Sequence, residues 1–237
     1  MFFRPKGHLQ LHVDIHSHLI PGVDDGVSSI EESIEIIEVF KKLGYTKLIT
    51  TPHISESYYP NSIQKLKEAY HSLVKVIEEE NIGIEVQLAA EYMVDGMLLK
   101  TLKNNDELLS WDGYLLIETS FRAMPWIFDE VLFEIQSRKL VPVLAHPERY
   151  PYFFENQDKL EELRNRGVKF QVTAGSFAGQ YGRVEKNLAK KFLKSGWVDF
   201  VGSDVHKIDH IKLLKLGLGS RTLCRRRTDE FLNDRLT

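Results

Sequence analysis

Two hydrophobic periods alternate along this chain of 237 residues. Short β-rich apolar runs lie at 10–15, 47–51, 84–90, 114–119, 141–146, 168–174 and 198–203. Between them apolar residues recur at helical spacing, at 28–44, 62–80, 125–139, 158–167 and 183–196. Ser28 and Glu31 read as a capping box opening the first helix, and Gly44 as its stop. Strand and helix in turn predict an α/β chain with a parallel sheet. Seven strand units predict a distorted (β/α)7 relative of the eight-stranded barrel. An open doubly wound sheet would carry a Gly-rich phosphate turn after its first strand. The turn here is His-Ser-His-Leu-Ile-Pro-Gly, which is no phosphate cradle.

Length adds that residues 1–237 fit one domain large enough to bury its own core. The net charge of −3 gives no reason to expect a nucleic-acid surface. The single cysteine, Cys224, excludes an intrachain disulfide and suits a reducing, cytoplasmic setting. The N-terminal stretch shows no apolar core of a signal peptide, and no run approaches the length of a membrane span, so no membrane insertion is expected.

The candidate chemistry lies where the strands end, the face that carries catalytic groups in an α/β barrel. His16 and His18, at i and i+2 on an extended segment, project from one side. Asp25 follows in the loop. The next strands end in His53, Glu91, Glu118, and His146 with Arg149; the seventh ends in Asp204 and His206. Only the sixth offers no strong ligand. Each residue alone has a plain alternative: a loop cap for His53, ion pairs for Glu91 and Glu118, a helix cap for Asp204, a satisfied core position for His146. Jointly they would leave imidazoles and carboxylates desolvated without partners, and metal ions remove that penalty. Five histidines and four carboxylates without a thiolate suit Mn²⁺, Fe or Zn²⁺ rather than Ca²⁺, and are enough for two or three ions. Paired ions of this kind serve phosphoester hydrolysis. Arg149 is then the cation for a substrate phosphate, unless it pairs with Glu148. Tyr58 and Tyr59, with Phe121 and Trp126, place aromatic rings just past two strand ends, for ring stacking or for loop packing.

The motifs DIHSHLIPGVDDG, TPH, AAEYMV, LLIETS, AHPERY and GSDVH span residues 14–206. In this order they resemble the polymerase-and-histidinol-phosphatase superfamily. Within it the chain is similar to bacterial manganese-dependent protein-tyrosine phosphatases of the capsule and exopolysaccharide type. The resemblance implies a distorted (β/α)7 barrel and a trinuclear centre, most readily of Mn²⁺, with Fe, Zn²⁺ or Mg²⁺ as other occupants. Its ligands would be His16, His18, Asp25, His53, Glu91, Glu118, His146, Asp204 and His206, with Glu118 bridging and Arg149 on the phosphate. It implies as substrate the phosphotyrosine tail of a bacterial tyrosine autokinase that controls polysaccharide export. The chain departs from the pattern after His206, where related proteins often carry a second arginine. Lys207, His210, Lys212 or Arg183 are the candidates to replace it. A small-molecule phosphatase and a non-catalytic, metal-stabilised regulatory partner are the competing readings. The tail after 219 matches no motif and reads as a solvated amphipathic helix.

Overall fold

The computed structural model describes residues 7–154 and 156–236. Part of the N-terminal stretch read above as free of a signal peptide, residues 1–6, lies outside them, as do residue 155 and the last residue of the tail. The strands are β1 (Val13–Asp14), β2 (Lys47–Thr50), β3 (His53–Ile54), β4 (Glu85–Leu88), β5 (Glu91–Met93), β6 (Tyr114–Glu118), β7 (Val141–Ala145), β8 (Lys169–Thr173) and β9 (Phe200–Gly202). The helices are α1 (Ile30–Leu43), α2 (Ile63–Glu79), α3 (Gly96–Lys103), α4 (Phe128–Ser137), α5 (Gln157–Asn165), α6 (Arg183–Lys194) and α7 (His210–Leu218).

Every strand pairing is parallel, as the strand–helix alternation predicts. The ladders make two sheets, ordered β1-β2-β4 and β3-β5-β6-β7-β8-β9. The break has a local cause. Just past the runs at 47–51 and 84–90 the pairing passes from β2 and β4 to β3 and β5, and Pro52, which has no N–H to give a ladder, lies between β2 and β3. Backbone bonds bridge the gap: Glu91 N–H donates to the Pro52 carbonyl at 3.1 Å and Thr51 N–H to the Ser17 carbonyl at 2.7 Å. On the other flank of the segment 16–18, Asp204 N–H reaches the His16 carbonyl at 2.8 Å and His18 N–H the Val205 carbonyl at 2.9 Å.

Helix α1 starts one residue later than the capping-box reading. Ser29, not Ser28, is the cap and accepts from Glu32 N–H, while Glu32 takes the Ser28 N–H and hydroxyl. Gly44 ends it in the left-handed conformation, as expected. Helices α3 and α7 were not anticipated. Both are short; α3 is capped by Asp95 and begins on a glycine, and α7 carries Gly217 in its last turn.

The core has two parts. The larger packs the helices against the outer faces of the strands. The smaller fills the space within them, from Val13, Ile15, Ile49, Leu116, Val143, Ala145 and Phe200 to Trp111 and Leu236. The tail is therefore not a solvated helix. It runs through turns and two short 3-10 segments (228–230 and 233–236) with Phe231 and Asn233 buried. The Asn233 amide donates to the carbonyls of Val13 and Val201 and accepts from Val201 N–H, all at 2.9–3.0 Å. A free helix would forgo these bonds, which close the end of the fold opposite the site.

Candidate metal centre

The nine predicted ligands converge. His16 and His18 leave the extended segment after β1 on the same side, their Nε2 atoms 3.3 Å apart. Glu91, first residue of β5, places Oε2 at 3.1 Å from His16 Nε2 and 3.5 Å from His18 Nε2. Its other oxygen lies 3.1 Å from His146 Nε2. Asp204 directs Oδ1 to within 3.6 Å of His16 Nε2 and 3.8 Å of His18 Nε2. His53 turns Nδ1 toward Glu118 at 2.9 Å and Glu91 at 3.2 Å, and Nε2 toward Asp25 at 3.5 Å. His206 stacks on His18 with ring centres 3.8 Å apart and faces Asp25 at 3.6 Å. Three groupings have donor atoms close enough to share an ion: His18–Asp25–His53–His206, His16–His18–Glu91, and His53–Glu91–Glu118.

The ring orientations show what the donors are for. His16 Nδ1 donates to Gln171 Oε1 at 2.8 Å, and the same oxygen accepts His146 N–H at 3.2 Å, which fixes it as an acceptor. His18 Nδ1 donates to Asp24 at 2.8 Å. In its neutral, ligating form each ring then presents an Nε2 lone pair, and the two Nε2 atoms face one another at 3.3 Å. His53 Nδ1 is buried beside two carboxylates yet has no hydrogen-bond partner. Donors about 2.1 Å from one ion stand roughly 3.0–3.4 Å from each other, the spacing seen here. The residues present fit N/O-ligated divalent ions.

Electrostatics agree. Burial disfavours charge on His16 and His53, yet Glu91 and Asp204 lift His16 to about 9, and Glu91 and Glu118 lift His53 to about 10. Against the same burial, His16 and His53 hold the Glu91 carboxyl well below the ordinary range, and His16 and Arg149 do so for Asp204. Glu118 is pushed up by burial and by Glu91. Burial takes His146 and His206 down to about 4, helped by Arg149 and His18 respectively, so both are neutral donors near pH 7. A cluster that draws protons onto imidazoles draws divalent cations by the same field. His146 and Asp204 also hold backbone φ of 35° and 54°, in the left-handed region, as four non-glycine residues outside the site do.

The centre opens into a cleft of about 530 Å³ lined by Asp25, His53, Tyr58, Tyr59, Glu118, Phe121, Arg122 and Arg149 among others. Arg149 does not pair with Glu148, which turns inward to accept from Thr173 N–H and the Ser176 hydroxyl. Its guanidinium donates to Asp204 Oδ2 at 2.8 Å and lies between the rings of Tyr181 and Phe121. None of Lys207, Lys212, Arg183 or His210 lines the cleft; His210 instead accepts His206 N–H. Arg122 is the second cation the fold brings there. Of the aromatic residues, Tyr59 stacks on His53, Phe121 covers Arg149, Tyr58 stands exposed at the rim, and Trp126 is exposed without lining the cleft.

Several partners were not anticipated. Asp24, neighbour of the predicted Asp25, orients His18 and also takes His53 N–H at 3.0 Å. The Asp-Asp pair was the available signal. Gln171 lies mid-strand on β8, the unit that offered no ligand, and Tyr181 follows it in the next loop; neither residue type announces itself by spacing.

An α/β chain with this buried His–carboxylate centre belongs to the capsular polysaccharide synthesis CpsB/CapC family, whose family model matches residues 12–232. Among relatives, the chain is 33% identical to the CapC protein of Staphylococcus aureus, over 83% of this chain and 77% of that protein. It is 32% identical to tyrosine-protein phosphatase YwqE of Bacillus subtilis, over 83% and 78%. A solved chain from the YwqE and Streptococcus pneumoniae CpsB pair, metal-dependent tyrosine phosphatases, superposes with TM-score 0.80 at 30% identity, covering 95% of each chain.

Proposed function

We propose that this chain is a metal-dependent protein-tyrosine phosphatase. The observation that carries the reading is the pair of facing Nε2 atoms of His16 and His18 beside Glu91 and Asp204, at the base of a cleft whose wall presents Arg149. The names of the relatives agree with it. His16, His18, Asp25, His53, Glu91, Glu118, His146, Asp204 and His206 would hold two or three divalent ions, Mn²⁺ first. Bound there, the ions supply Lewis-acid charge and ionise water near neutral pH. The protein's own groups do the rest. Arg149 and Arg122 receive the phosphoryl oxygens, and Tyr58 and Phe121 flank the ring of the tyrosyl group. A phenol of pKa about 10 leaves more readily than an alcohol, which eases the demand for a proton donor.

We also read residues 1–237 as one domain. The two sheets would be arcs of one distorted (β/α)7 ring, supported by the parallel bridge between Ser17 and Val205. Among the described residues no helix is long and apolar enough to cross a membrane. We propose a cytoplasmic setting, which the lone cysteine suits, and as substrate the phosphotyrosine tail of a tyrosine autokinase in polysaccharide export, which membership of the capsular polysaccharide synthesis family supports. The test is phosphate release from a phosphotyrosyl peptide by protein stripped with chelator and refilled with Mn²⁺. Activity that is lost and regained carries the reading; a refilled protein inert on the peptide but active on small phosphoesters replaces it.

A further inference from the structure

Resting on the phosphatase reading, we propose that Tyr181 is a positioning residue that ties the phosphate-binding arginine to the metal-binding carboxylate. The loop between β8 and α6 is built to deliver it. Gly179 and Gly182 take φ of 95° and 132°, which a side chain would strain, and the turn they frame folds Tyr181 back over the site. The Tyr181 hydroxyl accepts from Gln180 Nε2 at 3.1 Å and donates to Asp204 Oδ2 at 3.0 Å. That oxygen also accepts the Arg149 N–H at 2.8 Å, and the Arg149 guanidinium lies 4.1 Å from the Tyr181 ring centre and 5.0 Å from that of Phe121.

Three consequences follow from these contacts. Asp204 has one oxygen fully engaged by Arg149 and Tyr181, so its other oxygen is held toward His16, His18 and His206. Arg149 has its plane set by two rings and one N–H committed, leaving its other donors for an oxyanion in the cleft. The side chain is about one-fifth exposed, and the cleft is where that exposure lies. Tyr181 itself is no leaving-group acid: its proton is spent on Asp204, whose charge opposes its loss together with burial.

The test compares wild type, Tyr181→Phe and Tyr181→Leu as Mn²⁺-loaded full-length proteins. Readouts are bound metal, inorganic phosphate affinity by calorimetry, and kcat and KM on p-nitrophenyl phosphate against pH. Tyr181→Phe keeps the ring and loses the hydroxyl. It is expected to retain its metals, to bind phosphate about fivefold more weakly, and to show the loss in KM more than in kcat, with the pH profile unchanged in shape. Tyr181→Leu, without the ring, should weaken phosphate further. Phosphate affinity unchanged in both variants overturns the proposal. So does Tyr181→Phe losing its metals, which makes the residue a scaffold of the metal site. Loss of the alkaline limb of the pH profile in Tyr181→Phe also overturns it, in favour of a proton donor. If wild type turns over no aryl phosphate, the phosphatase reading fails, and the phosphate and metal isotherms still decide the role of Tyr181.

Discussion

His16 and His18 point their Nε2 atoms at each other across 3.3 Å, and each is held there from behind, His16 by Gln171 and His18 by Asp24. Such outer contacts fix the tautomer and the aim of a ligand, and losing one typically lowers metal affinity 10–100-fold. Asp24→Asn should therefore bind Mn²⁺ at least ~10-fold more weakly while remaining folded. Titration calorimetry on stripped protein measures it, and wild-type affinity in the variant would refute the orienting role.

Metal loading should release protons. Without ions His16 and His53 titrate at about 9 and about 10, above their ordinary value of 6.5, so both are protonated at pH 7. An ion must displace those protons. Affinity is thus expected to rise with pH from about 6 to 9, by up to tenfold per unit for each proton displaced, and to fall away in acid. Calorimetry at pH 7 in buffers of different ionisation enthalpy counts the protons directly. A count near zero would mean that the histidines are already neutral.

Much of this centre was legible because the strands are short and apolar and end in polar residues. His53, Glu91, Glu118, His146 and Asp204 each stand where an apolar run stops, and the i, i+2 spacing of His16 and His18 states their common face. What stayed hidden depends on the third dimension. Asp24 and Asp25 are adjacent in sequence, and only the fold shows one turned to His18 and the other to His53 and His206. Arg122 reaches the cleft, and Tyr181 the Arg149–Asp204 pair, from loops with no period to read. Past Pro52 a further short strand, β3, begins that the run at 47–51 does not include, and the tail's packing rests on Asn233, whose bond to Val13 joins residues 220 apart.

Arg149→Ala should keep its ions and lose most turnover, by ~10²-fold or more, because it removes fixed positive charge from the phosphoryl oxygens. Its one ion pair, with Asp204, is replaced in part by the Tyr181 hydroxyl that already shares that oxygen. Bound metal and kcat/KM on a phosphotyrosyl peptide are the two readouts. Turnover within twofold of wild type would remove Arg149 from the site.

Glu148 is buried, accepts from Thr173 and Ser176 on one oxygen, and has no partner on the other. Burial pushes it from 4.5 up to about 7. The folded state thus binds this proton more tightly than the unfolded state. Its stabilising contribution is complete below pH 4.5 and is lost as pH rises through 7. Glu148→Gln, uncharged at all pH, should match wild type near pH 5 and exceed its stability at pH 8 by on the order of 1–3 kcal/mol. Urea unfolding at the two pH values checks it, and an equal difference at both would show that Glu148 does not titrate in this range.

Asn233 joins the C-terminal segment to the first and the last strand. It contacts Val13 on β1 and Val201 on β9 through three hydrogen bonds, with no exposure to solvent. Truncation to alanine leaves a buried N–H and two buried carbonyls without those partners, each worth about 1–3 kcal/mol when unsatisfied. Asn233→Ala should lose on the order of 2–4 kcal/mol of unfolding free energy, reduced by any water that enters the gap. Arg227→Ala, at an exposed position of the same tail, should stay within about 0.5 kcal/mol of wild type. The contrast separates a plug from a dispensable extension. If both variants unfold with wild type, the tail packs on β1 and β9 without holding them together.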